Sequence, residues 1–346
     1  MLITQIPDPR SQSTPTKPSR PAPMRLPKWW IRPIVADLLR RLRWPHHKAE
    51  PAQALPAHTA PKPRPTEAPL IPQRPVEVTI RPLKKIAIVN HKGGVGKTST
   101  TVHLAGALAE MGYRVLVFDC DSQGDLSAVF LREHESLPHT IADIFAESGI
   151  ETAKLIQPTA FENIFVVPAD TRLNPADKTH GFENDPVVAC LADAVSEVAT
   201  DFDFILFDCP PRPHLSGFAA LVAATDVIVP CQPSHFSVRS MATLEDEIAA
   251  VKARLNPQLA IRGYFLSMVA SRSKPQQTCR QILTEALGES KVFRSAVPFM
   301  PILDMAINLR RPIVFHEKQS KAAQVFRDFA LELLGVYPTC DAPAAA

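Results

Sequence analysis

The stretch that decides the fold is IAIVNHKGGVGKTST, residues 86–100. An apolar, β-branched run, KIAIVN, leads into a glycine-rich turn, and a helix-forming segment ending near Gly112 follows. A strand, a glycine turn and a helix in this order predict a phosphate-binding loop. The strict pattern G-x-x-x-x-G-K-[ST] would need glycine at position 91, where this chain has His91. A second lysine, Lys92, follows it and precedes the lysine of the pattern, Lys97.

Length and composition allow a full hydrophobic core, since the chain has 346 residues of which 45% are hydrophobic. The six cysteines contain no C-x-x-C pair, which argues against a zinc or disulfide framework and for a reducing compartment. No apolar run reaches the roughly 18 residues of a membrane span. The N-terminus lacks the pattern of a secretory signal. We therefore expect a cytoplasmic protein.

Charge and proline are unevenly distributed. Residues 1–85 hold 16 Lys+Arg against 5 Asp+Glu, and 18 of the 35 prolines precede Leu83. Such a segment cannot bury enough apolar surface to fold alone, so residues 1–83 are predicted to be a largely disordered tail. The predicted folded domain covers residues 84–335, and residues 336–346 are a predicted flexible C-terminus.

Within the tail, residues 29–44 contain all three tryptophans of the chain. A short amphipathic helix is predicted near residues 33–44, with Pro33 in its first turn. Its polar face is basic, and its apolar face carries Ile34, Val35, Leu38, Leu39 and Leu42. Three interpretations stay open: packing on the protein's own core, contact with a membrane surface, and contact with a partner groove or DNA. A transit peptide is disfavoured by the many prolines.

After residue 84 short apolar, β-branched runs alternate with helical segments. Near-continuous apolar strands connected by helices predict an α/β fold with a doubly wound, mostly parallel sheet covered by helices on both faces.

The turn supplies the groups that hold a nucleotide's phosphates. Gly93, Gly94 and Gly96 let backbone N–H groups converge on an anion at the helix N-terminus. Lys97 can reach the β- and γ-phosphates of ATP, and the Thr98 hydroxyl can bind Mg²⁺. Val95 and Ser99 complete the predicted nucleotide-binding segment.

The string KGGVGKT is the deviant Walker A motif, and with it the chain resembles the ParA/MinD family of P-loop ATPases over about residues 84–335. The resemblance implies that Lys92 reaches across a dimer interface to the nucleotide of the other subunit. A cation brought in this way stabilises developing charge as an arginine finger does.

Two acidic segments extend the resemblance. RVLVFDCDSQGDLS is similar to the family's DxDPQGN segment, which implies that Asp121 positions the attacking water and that Asp119 supports the metal site. Ser122 and Asp125 depart from that pattern but leave both carboxylates intact. Asp208, at the end of DFILFDCPP, stands at the Walker B position, where a carboxylate organises Mg²⁺ through water.

Further contacts are predicted nearer the C-terminus. By resemblance, Pro298 and Phe299 flank the adenine, although the family often has a polar residue where Phe299 stands. The resemblance also implies DNA binding, which would need a basic patch that contacts phosphates. Its candidates are Arg272, Lys274, Arg280, Arg310 and Arg311.

The resemblance is greatest to the ParA/Soj branch. It implies a Mg²⁺-dependent ATPase, slow without a partner, that dimerises with ATP and binds DNA without sequence preference. A ParB-like or other cargo-bound activator would trigger hydrolysis, so that a plasmid, chromosome or other large cargo is partitioned, and the protein would be associated with the nucleoid. The alternative is a MinD-like positioning ATPase docked on a membrane or partner through residues 29–44. A subunit that binds nucleotide but barely hydrolyses it is less favoured, because Lys92 and Asp121 are both present.

Overall fold

The computed structural model describes residues 83–146, 149–176, 186–212, 214–232, 235–269, 281, 284–285 and 287–336. The predicted amphipathic helix near residues 33–44 and the predicted C-terminal tail from residue 337 onward therefore lie outside the described residues.

The described strands form one sheet of eight, in the spatial order β3-β4-β2-β5-β1-β6-β7-β8. All neighbouring pairs are parallel except β3 with β4, which is antiparallel. The predicted doubly wound, mostly parallel sheet is thereby confirmed. The strands are β1 Lys84–Ile88, β2 Val115–Asp119, β3 Gln157–Pro158, β4 Ile164–Val167, β5 Phe204–Asp208, β6 Asp226–Cys231, β7 Ala260–Val269 and β8 Val292–Pro298.

Helices follow most of the strands. In chain order the described α-helices are α1 Lys97–Glu110, α2 Asp125–Phe130, α3 Ala142–Phe145, α4 Leu173–Ala176, α5 Cys190–Val198, α6 Leu215–Ala223, α7 His235–Arg254, α8 Pro301–Asn308, α9 Ile313–His316 and α10 Lys321–Leu334. Short 3₁₀ turns lie at His134–Ser136, Thr152–Lys154, Pro186–Ala189, Ala199–Asp201 and Glu289–Lys291. Within the described part of the chain, no helix combines the length and the hydropathy needed to cross a membrane.

The sheet separates two hydrophobic cores, because successive side chains of a strand point to opposite faces. Ile86 and Ile88 of β1 belong to one core, which helices α1, α8 and α10 cover. Ala87 and Val89 belong to the other, which helices α3, α5, α6 and α7 cover. Burial on both faces explains why the strands read as continuous apolar runs rather than as alternating ones.

The strand order brings the predicted site together. β1 lies between β5 and β6, and β5 lies between β1 and β2. Ile88 at the end of β1 is paired with Asp208, and Asp208 is paired with Asp119 at the end of β2. The segments after these three strands therefore meet at one edge of the sheet, where open α/β sheets bind their ligands.

Candidate functional site

The loop between β1 and α1 has the backbone shape that its glycines allow. Gly94 has φ 73° and Gly96 φ 85°, both left-handed conformations that residues with a Cβ rarely adopt. A Cβ atom added to Gly93 or Gly94 would have no other atom within 4 Å. The N-terminus of α1 has no side-chain cap, so its backbone N–H groups are available to an anion. Loop and helix together form a cradle with room for phosphate.

Polar contacts fix both ends of this loop. The Asn90 Nδ2 donates to the carbonyl of Pro230 on β6 at 2.8 Å, and Asn90 Oδ1 accepts from the backbone N of Lys92 at 2.9 Å. At the other end, the Ser267 hydroxyl of β7 donates to the carbonyl of Val95 at 2.7 Å. Sequence reasoning missed Asn90 and Ser267. A polar residue ending the apolar run IAIV was a usable signal for Asn90, whereas Ser267 lies 172 residues from its partner.

Lys97 opens α1 and is 7% exposed. Its ammonium donates to the carbonyl of Lys92 at 3.3 Å. Burial lowers the pKa of Lys97, while the nearby Asp208 acts in the opposite direction and favours the charged form. Lys97 is therefore a shielded cation at the mouth of the cradle, where phosphate oxygens would compete for its donors.

The start of α1 faces the carboxylate of Asp208 at the end of β5. The Thr98 side chain is hydrogen-bonded to Asp208. The Thr101 hydroxyl lies 3.2 Å from Asp208 Oδ1 and 3.0 Å from the carbonyl of Lys97. Burial raises the pKa of Asp208 to about 8, and the charge of Asp119 acts in the same direction. Asp208, at 1% exposure, is thus a buried acceptor that holds the predicted metal-binding hydroxyl in place.

Asp119 is completely buried at the end of β2. Its Oδ2 accepts from the backbone N and the hydroxyl of Ser127 at 2.8 and 2.6 Å, and its Oδ1 accepts from the backbone N of Asp121 at 3.1 Å. Burial raises the pKa of Asp119 to about 7, although the Ser127 hydrogen bonds oppose the rise. Asp119 therefore shapes the turn that carries Asp121. The sequence analysis predicted that Asp119 supports the metal site but did not predict this second role.

Asp121 itself is partly exposed at the surface of this turn. Its Oδ1 accepts from the backbone N of Gln123 at 3.0 Å, and Gly124 N closes the turn on the carbonyl of Asp121 at 2.9 Å. Gly124 has φ 66°, and the ring of His134 packs within 3.4 Å of the place where its Cβ would lie. The carboxylate of Asp121 is consequently presented to solvent from an ordered turn.

The oxygen atoms of Thr98, Asp119, Asp121 and Asp208 suit Mg²⁺, which prefers hard oxygen ligands and keeps several waters. Among the described residues, no group of three or more His, Cys, Asp and Glu side chains could hold a metal ion unaided. A P-loop site does not require one, because phosphate oxygens and water complete the coordination shell. The donor set therefore fits a Mg²⁺ ion that arrives with a nucleotide.

A pocket of about 440 Å³, counting the solvent space at its open mouth, lies beside the cradle. Gly96, Ser99 and Thr100 line one side, and Pro298 and Phe299 line another. The ring of Phe299 is 65% exposed, so it can be covered by a flat ligand. The structure thus brings the two predicted adenine-flanking residues to the phosphate loop, and their contact with a base stays a prediction.

The predicted DNA-contacting residues divide into two groups. Arg272, Lys274 and Arg280 lie outside the described residues. Arg310 and Arg311 are exposed at the end of α8. Arg310 Nη1 lies 3.5 Å from the carbonyl of Arg132, which is also exposed and which sequence reasoning missed because it is 178 residues away.

Comparisons with known proteins agree with this geometry. A family model described as an AAA domain matches residues 83–261. The chain is 31% identical over 255 residues to the sporulation initiation inhibitor protein Soj of Bacillus subtilis, covering 72% of this chain and 98% of Soj. It is also 31% identical to the chromosome partitioning protein ParA of Myxococcus xanthus, covering 72% of this chain and 87% of that protein.

Among solved structures, the septum site-determining protein MinD of Pyrococcus horikoshii, complexed with Mg-ADP, is similar with a TM-score of 0.59 and 26% identity. The match covers 72% of this chain and 96% of that protein.

Proposed function

Because the chain belongs to the ParA/MinD family of P-loop ATPases, we propose that it is a ParA-like ATPase that binds Mg²⁺ and ATP. The ATP-bound protein dimerises and binds DNA without sequence preference. One observation carries the proposal. A phosphate cradle preceded directly by Lys92 lies at the same sheet edge as Asp119, Asp121 and Asp208. That arrangement suits nucleotide hydrolysis in a site shared by two subunits. A turn with a purely structural role would need neither the second lysine nor the three carboxylates.

Each group has a defined task in this scheme. The backbone N–H groups of the loop bind the phosphates, and Lys97 neutralises charge on the β- and γ-phosphates. Bound Mg²⁺ would supply further charge neutralisation on the same oxygens. Asp121 accepts a hydrogen bond from the attacking water and orients it. Lys92 reaches the nucleotide of the partner subunit, so that the site is complete only in the dimer.

DNA contact would rest on clustered arginines rather than on net charge. Arg132, Arg310 and Arg311 are exposed within one region of the surface. Residues 1–85 add an excess of eleven positive charges, since they hold 16 Lys+Arg against 5 Asp+Glu. Binding through such contacts to phosphates weakens steeply with salt. A cargo-bound, ParB-like activator would stimulate hydrolysis and release the DNA, and the protein would work in the cytoplasm on the nucleoid.

Sedimentation of the protein with Mg-ATP and with Mg-ADP tests the dimer. We expect dimers with ATP and monomers with ADP, and dimers that persist longer in Asp121→Ala because hydrolysis is slowed. A monomer in every nucleotide state would contradict the proposal.

The MinD-like alternative is favoured only by the amphipathic pattern of residues 29–44. Deletion of residues 1–83 distinguishes the ParA-like function from the MinD-like one. ParA-like action predicts that ATP-dependent DNA binding survives the deletion, whereas docking on a membrane or partner predicts that the surface contact is lost with it.

A further inference from the structure

His91 stands where the strict phosphate-loop pattern has glycine, and its side chain makes a specific contact. Its Nε2 lies 2.7 Å from Oε2 of Glu247 on α7. The two side chains are 17% and 19% exposed, so the pair is largely shielded from solvent. Shielding from solvent strengthens a hydrogen bond between two side chains relative to an exposed one. A glycine at position 91 could not form this contact.

The α7 end of the pair is firmly held. Met241, Leu244, Ile248 and Val251 bury one face of α7 in the core beneath the sheet. Two residues before Glu247, the carboxylate of Glu245 accepts the hydroxyl of Tyr264 on β7. Glu247 is therefore a fixed acceptor on a packed helix.

The loop end of the pair adjoins Lys92. The backbone N of Lys92 is held by Asn90, and its carbonyl accepts from Lys97. With His91 anchored to α7, the residue before Lys92 is fixed as well. The backbone from which the Lys92 side chain projects is thus constrained on both sides.

We propose that the His91–Glu247 pair is a positioning element that fixes the backbone of Lys92, so that its side chain reaches the nucleotide of the partner subunit. The inference rests on the proposed function, because it needs Lys92 to act across a dimer interface. His91 and Glu247 are positioning residues in this account, and neither touches the substrate.

A competing explanation is that His91 only neutralises Glu247. If the whole role of His91 were to neutralise Glu247, removing the Glu247 charge would be harmless. It would also restore the activity of a chain that lacks His91.

The test uses the full chain with His91→Gly, His91→Gln, Glu247→Ala and the double variant His91→Gly/Glu247→Ala. Asp246→Asn, on the exposed face of α7, is the matched control. Three quantities are measured for each protein: the Kd for Mg-ADP, the dissociation constant of the ATP-bound dimer, and kcat for ATP. Circular dichroism and Tm establish that each variant folds.

We expect His91→Gly and Glu247→Ala each to weaken the dimer and lower kcat by about tenfold, the lower range for a group that orients a functional residue. Affinity for Mg-ADP stays within about twofold, because the cradle from Gly93 to Lys97 is intact. The double variant is no worse than either single one, since both remove the same contact. His91→Gln recovers most of the activity, because its amide can donate to Glu247 from the same place.

Wild-type dimerisation and turnover in all variants would overturn the inference. The inference would also be overturned if His91→Gly were impaired, Glu247→Ala were not, and the double variant recovered wild-type behaviour. His91 would then act only by neutralising Glu247. If the wild type itself stays monomeric with ATP, both the proposed function and the inference fail. The wild-type measurement alone tests the proposed function, whereas the variants test the inference.

Discussion

Asp119 and Asp208 are partners in the register of β2 and β5, and neither is exposed by more than 1%. Two carboxylates therefore end neighbouring parallel strands beneath the phosphate cradle. Burial, the first cause for each, raises the pKa of Asp119 from 3.8 to about 7 and that of Asp208 from 3.8 to about 8. The charge of Asp119 adds to the rise at Asp208. Between about pH 4 and pH 7, both carboxyl groups of the nucleotide-free folded protein therefore retain protons that the unfolded chain has released.

The stability of the nucleotide-free protein should therefore fall as pH rises from about 4 to about 8, because the folded state binds more protons than the unfolded state throughout this window. Asp208→Asn removes one of the two groups and should flatten the profile. At pH 8 this variant should be more stable than the wild type by at least about 1 kcal/mol. Urea unfolding at pH 5, 6.5 and 8 measures the effect, with the exposed Asp246→Asn as control. Parallel profiles for Asp208→Asn and the wild type would contradict the prediction.

Much of this site was predictable because the information is local. The loop from His91 to Thr98 is continuous in sequence, and Asp119 and Asp208 each end an apolar run. Parallel strands bring such ends together by geometry alone. The parallel sheet and its burial on both faces followed from the same continuous runs.

Contacts between distant segments were not predictable. The pairing of His91 with Glu247, the Ser267 hydrogen bond to Val95 and the approach of Arg310 to Arg132 join residues with no common pattern. Strand β3 was missed as well, because two residues ending in Pro158 carry no periodic signal. Whether residues 1–83 act as a tail stays a prediction, since residues 1–82 lie outside the described residues.

Lys97→Ala should reduce affinity for Mg-ATP by about 100-fold, because charge-assisted contacts to the β- and γ-phosphates are lost. Titration with a fluorescent ATP analogue measures the Kd. Lys92→Ala is the control, since its cation is assigned to the other subunit and monomer affinity should change little. Equal losses in both variants would mean that the two lysines do not divide their roles as proposed.

Asp121→Ala should lower kcat by about 100-fold or more while ATP binding is retained, because orientation of the water is lost and the cradle is not. Steady-state phosphate release and equilibrium ATP binding are measured on the same preparation. Asp125→Ala, four residues along on the exposed start of α2, is the control and should keep its turnover. Full activity in Asp121→Ala would exclude it as the water-positioning group.

Two glycines should respond in opposite ways to alanine. A Cβ on Gly106 would lie 2.4 Å from Cβ of Pro312, so Gly106→Ala should destabilise the fold by about 1–3 kcal/mol through overpacking. A Cβ on Gly93 would meet no atom within 4 Å. Gly93→Ala should therefore leave stability within about 0.5 kcal/mol. It should still weaken Mg-ATP binding by about tenfold or more, because the methyl group obstructs the approach of phosphate to the backbone. Thermal unfolding and nucleotide titration distinguish the two effects, and the reverse pattern would contradict the described loop.

The most direct test of the central claim is retention of the protein on nonspecific duplex DNA with Mg-ATP and with Mg-ADP, at two salt concentrations, for the wild type and Lys92→Ala. The account predicts that only ATP promotes retention, that higher salt weakens it steeply, and that Lys92→Ala abolishes it. Retention that ignores both the nucleotide and Lys92 would contradict the claim that this chain is an ATP-switched, DNA-gripping dimer.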